Sequence, residues 1–408
     1  MNESILKQYA RLIAVMGAGI QKDQDVLIQA GLDQPRFVEM LVEACYLAGA
    51  RKVSVDWHMQ RLDRLHTQYR TPEALGEVLD WERARLEHYV QTLPCRIYLE
   101  SDDPDGLHGV DVEKFVKAQQ NKRREAKPYR DRMENRYQWC IAAVPGLAWA
   151  KKLFPDVSDE QAVEHLWQAI LKAARADGDD PIAAWQAHNQ DLTARCEHLN
   201  NLGIRRLFYK SQNGTDLSVG LMPESRFCGG GDVSLLGKRY NPNMPSEEVF
   251  TSPMRGEAEG WVYSTMPLSY QGQLIEDFSL RFEKGRVVEF HARTNEALLS
   301  KMLTTDDGAA YLGECALVPY DSPIQNAGLL FYHTLFDKNA SCHLALGSGY
   351  ADTMEGFEDM TLDQCRAKGL NDSLIHVDFM IGASDLSIDA ETENGKTVAI
   401  FRNGNWAF

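Results

Sequence analysis

Three dipeptides that tolerate a left-handed backbone, Asn213-Gly214, Lys284-Gly285 and Asn394-Gly395, each separate two strand-like runs, and all three lie beyond residue 203. A tight turn between right-twisted strands requires residues that accept positive φ. Each dipeptide therefore predicts an antiparallel hairpin: Arg205 to Ser211 with Asp216 to Leu221, Asp277 to Glu283 with Arg286 to Ala292, and Leu386 to Glu393 with Lys396 to Arg402.

The first half is punctuated differently. Asp25 to Gln29 reads as a strand, and Gln34 to Ala48 as a helix, with Phe37, Met40, Leu41, Ala44, Cys45 and Ala48 at three- and four-residue steps. Lys52 to Asp56 follows as a second strand, giving a unit of the length that a parallel crossover needs. Further strands are expected at Cys95 to Glu100 and Gln138 to Ala143, with helices at Pro72 to Leu93 and Val112 to Met133, and two more helices at Ser158 to Ala176 and Pro181 to Leu199. The expected architecture is an α/β N-terminal domain with a mainly parallel sheet, residues 1–200, followed by a β-rich α+β domain, residues 201–408.

Composition narrows the function classes. A formal charge of −16 removes the counterion-release drive for nucleic acid and acidic membranes, so neither is an expected partner. Eight dispersed cysteines with no C-x-x-C pair suit neither a disulfide framework nor a zinc ribbon, and fit a reducing compartment. The apolar run Leu12 to Ile20 is far short of the ~20 residues that span a bilayer, and no small-residue cleavage site follows it; it reads as a buried first helix.

Several motifs fall away on their chemistry. Gly229-Gly230-Gly231 lacks the later G-K-[ST] of a phosphate loop, because Lys238 is followed by Arg239; it reads as a tight loop before a strand. Gly17 and Gly19 precede the first strand, where a dinucleotide fingerprint should follow it. The basic run Lys122-Arg123-Arg124 shares its helix with Glu125, Asp131 and Glu134, the pattern of a solvated face. Ser348 lacks the outer glycine spacing of a nucleophile elbow.

What remains is a set of metal-competent side chains in apolar, small-residue surroundings. His376-Val377-Asp378 sits in a strand-like run, where residues two apart share a face. Glu248, Glu314 and His343 occur in Glu248-Val249-Phe250-Thr251, Gly313-Glu314-Cys315-Ala316 and Cys342-His343-Leu344-Ala345, where an unpaired charge would be costly. Two Glu, two His and one Asp suit a pair of divalent ions such as Zn²⁺, Co²⁺ or Mn²⁺.

The run Asn243-Met244-Pro245-Ser246-Glu247-Glu248-Val249-Phe250-Thr251-Ser252-Pro253 resembles the N-x-P-[ST]-x-E-V-F-T-x-P signature of the aminopeptidase T and aminopeptidase S family of metallopeptidases. The segments His291 to Asn295, Leu312 to Glu314, Asn339 to Gly347, His376 to Gly382 and Phe401 to Trp406 resemble that family in the same order and at matching intervals. The resemblance implies a cytoplasmic homodimer that removes the first residue from peptides with a free amino terminus, by a metal-activated water. It implies a divalent cofactor, two ions per chain, with Zn, Co or Mn/Mg as candidates. By position it makes Glu248, Glu314, His343, His376 and Asp378 the metal ligands, with Glu314 bridging; it favours Glu248 over the adjacent Glu247. Tyr350 matches a site tyrosine suited to an oxyanion, and Glu248 or Glu314 would carry the proton to the leaving amine.

One position departs from the family pattern. Where members commonly carry an acidic residue five positions before the histidine of C-H-L-A-L-G, this chain has Lys338. A cation there opposes a second ion, leaving that site weaker, completed by Asp337, or empty; two ions remain the expectation. The rival readings are an enzyme whose α/β layer binds a nucleotide, which lacks a phosphate fingerprint, and a non-catalytic or degenerate peptide-binding homologue disabled at Lys338.

Overall fold

The β-α-β unit predicted at Asp25 to Asp56 opens a five-stranded sheet in a computed structural model that describes residues 1–408. From one edge the order is Lys52–His58, Asp25–Gly31, Cys95–Glu100, Trp139–Ala143 and Asn243–Met244, and every neighbouring pair is parallel. The strand order reverses at Asp25–Gly31, the arrangement in which crossovers of the usual right hand place connecting helices on both faces of a sheet. Both faces being covered, the central strands are apolar almost throughout: Ile28, Ile97, Cys140 and Ala142 are fully buried.

The helix Pro35–Leu47 begins with a proline, whose missing N–H costs nothing in the first turn. Its buried Phe37, Val38, Leu41, Ala44 and Cys45 recur at the predicted spacing. Phe37, Tyr9 and Trp167 pack on one another at centroid distances of 5.5 to 6.3 Å, joining three helices into one aromatic cluster. The first helix, Glu3–Leu12, is capped by the Asn2 side chain and passes into a π-turn at Ile13–Gly17, so the buried apolar run straddles the helix end rather than forming one helix.

Two local expectations need correction. The predicted helix Pro72 to Leu93 is two helices, Pro72–Gly76 and Asp80–Thr92, because Glu77 and Leu79 are extended and the Glu82 carboxylate accepts the Leu79 N–H at 2.8 Å to start a new helix. The helix Gln60–Tyr69 was not foreseen: Thr67 is its one buried residue, so no apolar period marks it.

By internal contacts the chain divides into one unit of Met1–His188, Gly231–Ser246 and Gln271–Gln273, and a second of Asn189–Gly230, Glu247–Tyr270 and Leu274–Phe408. The second unit is antiparallel. Its larger sheet has nine strands and contains all three predicted hairpins: Ile204–Lys210 with Asp216–Leu221, Gln273–Glu283 with Arg286–Thr294, and Ser387–Thr392 with Thr397–Arg402. At the second of these turns Lys284 and Gly285 take φ of 48° and 77°, the positive values the tight turn requires. Its smaller sheet has four strands and carries Glu314, His343, His376 and Asp378. All eight cysteines are free thiols, and no helix is long and apolar enough to cross a membrane.

Candidate metal centre

The four-stranded sheet runs Val249–Thr251, Leu312–Leu317, His343–Gly347, His376–Met380, each strand antiparallel to the next. Its register brings the predicted residues to one face. Ala316 lies opposite His343, Glu314 opposite Ala345, Ala345 opposite Asp378, and Gly347 opposite His376. Directly opposed residues of an antiparallel pair share a face, as do residues two apart along a strand. Glu314, His343, His376 and Asp378 therefore project together, with the small Ala316, Ala345 and Gly347 filling the positions between them. Val249 is opposite Leu317, on the other side of the pleat, so the preceding Glu248 comes round to the same face.

Two glycines allow the close approaches behind this face. A Cβ on Gly313 would stand 2.3 Å from the Ser348 carbonyl oxygen, and one on Gly229 would stand 2.7 Å from the carbonyl oxygen of Glu248 itself. The triple-glycine loop is thus a spacer pressed against the Glu248 backbone, held also by the paired N–H···O bonds between Cys228 and Phe250.

Two groups of ligand-competent atoms form, Glu248–Glu314–His343 and Glu314–His376–Asp378, and Glu314 belongs to both. His343 Nε2 lies 3.1 Å from Glu248 Oε2 and 3.4 Å from Glu314 Oε1; His376 Nε2 lies 3.1 Å from Glu314 Oε2 and 3.0 Å from Asp378 Oδ1. Glu314 and His343 are 1 % and 0 % exposed, at which depth an uncompensated charge is strongly unfavourable. Despite these distances, Glu248 Oε2, Glu314 Oε1 and His343 Nε2 make no aligned hydrogen bond. Groups aimed at a common point between them, rather than at one another, have this arrangement, and the mixed N/O donor set is one that divalent transition ions accept. The residues fit a metal. His376 is further oriented by its Nδ1, which donates to the Ser348 carbonyl at 2.7 Å and leaves Nε2 facing the cluster.

Cationic side chains balance the carboxylates. Burial opposes the imidazolium of His343, but Glu248 and Glu314 outweigh it and raise the pKa to about 9; burial likewise opposes His376, and Asp378 and Glu314 raise it to about 10. Burial pushes the Glu314 carboxyl up, yet Lys338 and the two histidines hold it well below the usual range; Asp378 is lowered against burial by Lys338 and His376. Lys338 is itself buried, with Nζ 3.1 Å from Glu248 Oε2 and 3.7 Å from Asp378 Oδ2. Burial disfavours its charge, but Asp378, Glu248 and Glu314 hold its pKa well above the ordinary value.

Tyr350 lies beside this cluster. Its ring packs on His376 at 4.8 Å and edge-on to Phe250 at 5.9 Å, and its N–H donates to Ser252 Oγ. Burial and then the Glu314 charge push its phenol well above the ordinary value, so it remains a proton donor. Asp337, weighed from sequence as a completing ligand, accepts the backbone N–H groups of Phe331 and His333 at 2.9 Å each and belongs to neither group. Glu247 and His291 belong to neither group either. Sequence reasoning missed the contact of Lys338 with both groups and the Ser348 carbonyl behind His376. The first had a partial signal, a lysine where the family pattern has an acidic residue; the second is a backbone contact with none.

The family described as "Thermophilic metalloprotease (M29)" matches residues 2–406. The chain is 41% identical to "Aminopeptidase AmpS" of Bacillus subtilis, over 99% of this chain and 98% of that protein. It is 39% identical to "Aminopeptidase 2" of Geobacillus stearothermophilus, over 100% and 98% respectively. Among solved structures, that of wild-type AmpT from Thermus thermophilus aligns with a TM-score of 0.89 at 36% identity, covering both chains completely.

Proposed function

The chain belongs to the thermophilic metalloprotease (M29) family, and from that membership we propose that Glu248, Glu314, His343, His376 and Asp378 hold the divalent metal of this metal-dependent aminopeptidase. The observation that carries the assignment is the convergence of three carboxylates and two imidazoles on one buried sheet face, with three of the donor atoms lacking an aligned hydrogen-bond partner. A divalent ion bound there supplies a Lewis acid for the scissile carbonyl and brings the deprotonation of water near neutral pH.

The chain's own residues supply the rest. Glu314, common to both groups, would be a ligand whichever group takes an ion, and would bridge if both were filled. Tyr350, held as a neutral phenol, donates a hydrogen bond to the oxygen that gains charge as the carbonyl is attacked. Glu248 or Glu314 carries a proton to the leaving amine. The carboxylates of Glu248 and Asp378 form ion pairs with the ammonium of Lys338 at 3.1 and 3.7 Å, and the same negative charge suits the free α-amine that confines cleavage to the first residue. Zn²⁺, Co²⁺ and Mn²⁺ are the metals that best suit the donor set. The same reading makes the protein a cytoplasmic homodimer: its free thiols suit a reducing compartment, and the dimer rests on the family resemblance. Family and full-length similarity to aminopeptidases disfavour the degenerate peptide-binding reading.

The test compares a leucyl amide reporter with its N-acetylated twin, using chelated protein with and without Co²⁺ or Zn²⁺. Metal-dependent release from the free-amine substrate alone is the expected result. Equal cleavage of both substrates would remove the amino-terminal specificity, and turnover indifferent to metal would remove the centre.

A further inference from the structure

We propose that the ammonium of Lys338 takes the place of one of the two cations that the paired ligand groups would otherwise hold, so that each chain binds one divalent ion. The inference rests on the metal-centre reading above. It differs in asking what one of this chain's own side chains does to the count.

Three observations support it. The first is position: Lys338 caps the short helix Thr334–Asp337, with its N–H on the Thr334 carbonyl at 3.1 Å, and its side chain, 9 % exposed, lies inside rather than at the rim of the site. The second is contact: Nζ meets one oxygen of Glu248 and one of Asp378, so the ammonium touches each group through the residue that the other lacks. Whichever group takes the ion, the ammonium answers the charge of the other. Its partner Glu248 Oε2 is also the oxygen beside His343 Nε2, so an ion there would have to share that donor atom with a fixed cation.

The third is charge balance. With neutral imidazoles, the three ligand carboxylates bring three negative charges; one divalent ion and one ammonium cancel them. A second divalent ion would leave two uncompensated positive charges in a buried site before any anion enters, a state the low-dielectric interior strongly disfavours. Asp337 cannot restore the balance, because its oxygens are turned to backbone N–H groups elsewhere.

The experiment counts ions directly. Full-length protein is stripped, dialysed to equilibrium against buffered Zn²⁺ or Co²⁺, and assayed for metal per chain by mass spectrometry, beside Lys338→Glu, with circular dichroism as the check on folding. One ion in the wild type and two in Lys338→Glu is the expected result. Two ions in the wild type would overturn the proposal without any variant, while leaving the metal centre intact. Two ions only in added bicarbonate, with a matching gain in protein mass, would identify Lys338 as a carbamate ligand and overturn it equally. One ion in both folded proteins would show that the ammonium is not what excludes the second. No ion in the wild type would remove the metal-centre reading itself.

Discussion

The five-stranded parallel sheet and the four-stranded antiparallel sheet are both buried, yet they use burial in opposite ways. In the first, Val26, Ile28, Ile97, Leu99 and Cys140 put apolar atoms where water has been removed, and area buried contributes about 25 cal/mol per Å² to stability. In the second, the strands Leu312–Leu317 and His343–Gly347 are buried at every residue, but one face holds carboxylates and imidazoles. Removing such groups from water costs several kcal/mol each unless they find partners. The comparison teaches that depth alone does not identify a core: the parallel sheet buries apolar side chains, and the small sheet buries ionisable ones.

Four experiments would break or sharpen this contrast. The largest effect is expected from Glu314→Gln, which removes the shared carboxylate: turnover of the leucyl amide should fall by about 10³-fold or more while the thermal midpoint, compared with both proteins in chelator, changes little, as for loss of a principal transition-state contact. A matching collapse of stability and activity would instead make Glu314 structural. His376→Ala should then lower bound metal well below that of Cys342→Ala, since Cys342 lies on the opposite side of the pleat, with its thiol on the Val318 carbonyl; equal metal content would dissolve the distinction between the two faces. Tyr350→Phe keeps the packing on His376 and loses only the hydroxyl. Its kcat should drop by roughly 10- to 100-fold with KM nearly unchanged, and a change confined to KM would reassign it to substrate binding. Smallest is Ile28→Val in the parallel sheet: about 1 kcal/mol of stability in denaturant titration, with unaltered turnover per folded molecule.

The two sheets also differed in how far they could be read from sequence. The strand Cys95–Glu100 and the helix Val112–Met133 fall where periodicity puts them, because local patterning and crossover length constrain a β-α-β layer. The hairpins at Gly214, Gly285 and Gly395 were legible for an equally local reason, the backbone conformation that each turn needs. Asn243–Met244, the fifth parallel strand, has only two residues and no alternation to display. At the site, the identities of the side chains were visible but their meeting was not, since it depends on which residue opposes which across strands distant in sequence. A faint sign existed in the small residues two positions beyond Glu314 and His343, namely Ala316 and Ala345. Lys338 was visible as a departure from the family pattern; its reach to both Glu248 and Asp378 required the fold.

The four strands that carry the centre are drawn from widely separated stretches of chain, from Glu248 to Asp378, and the centre exists only once all of them are paired. An unfolded chain offers no comparable cage, so an ion held by these proposed ligands would bind the native state almost alone. By mass action a free metal concentration a hundred times the dissociation constant adds about 2.7 kcal/mol to the folding equilibrium. On the proposed ligand set, the melting temperature of this protein would also gauge the free metal around it, and chelation should lower it even in a sample to which no substrate is ever offered.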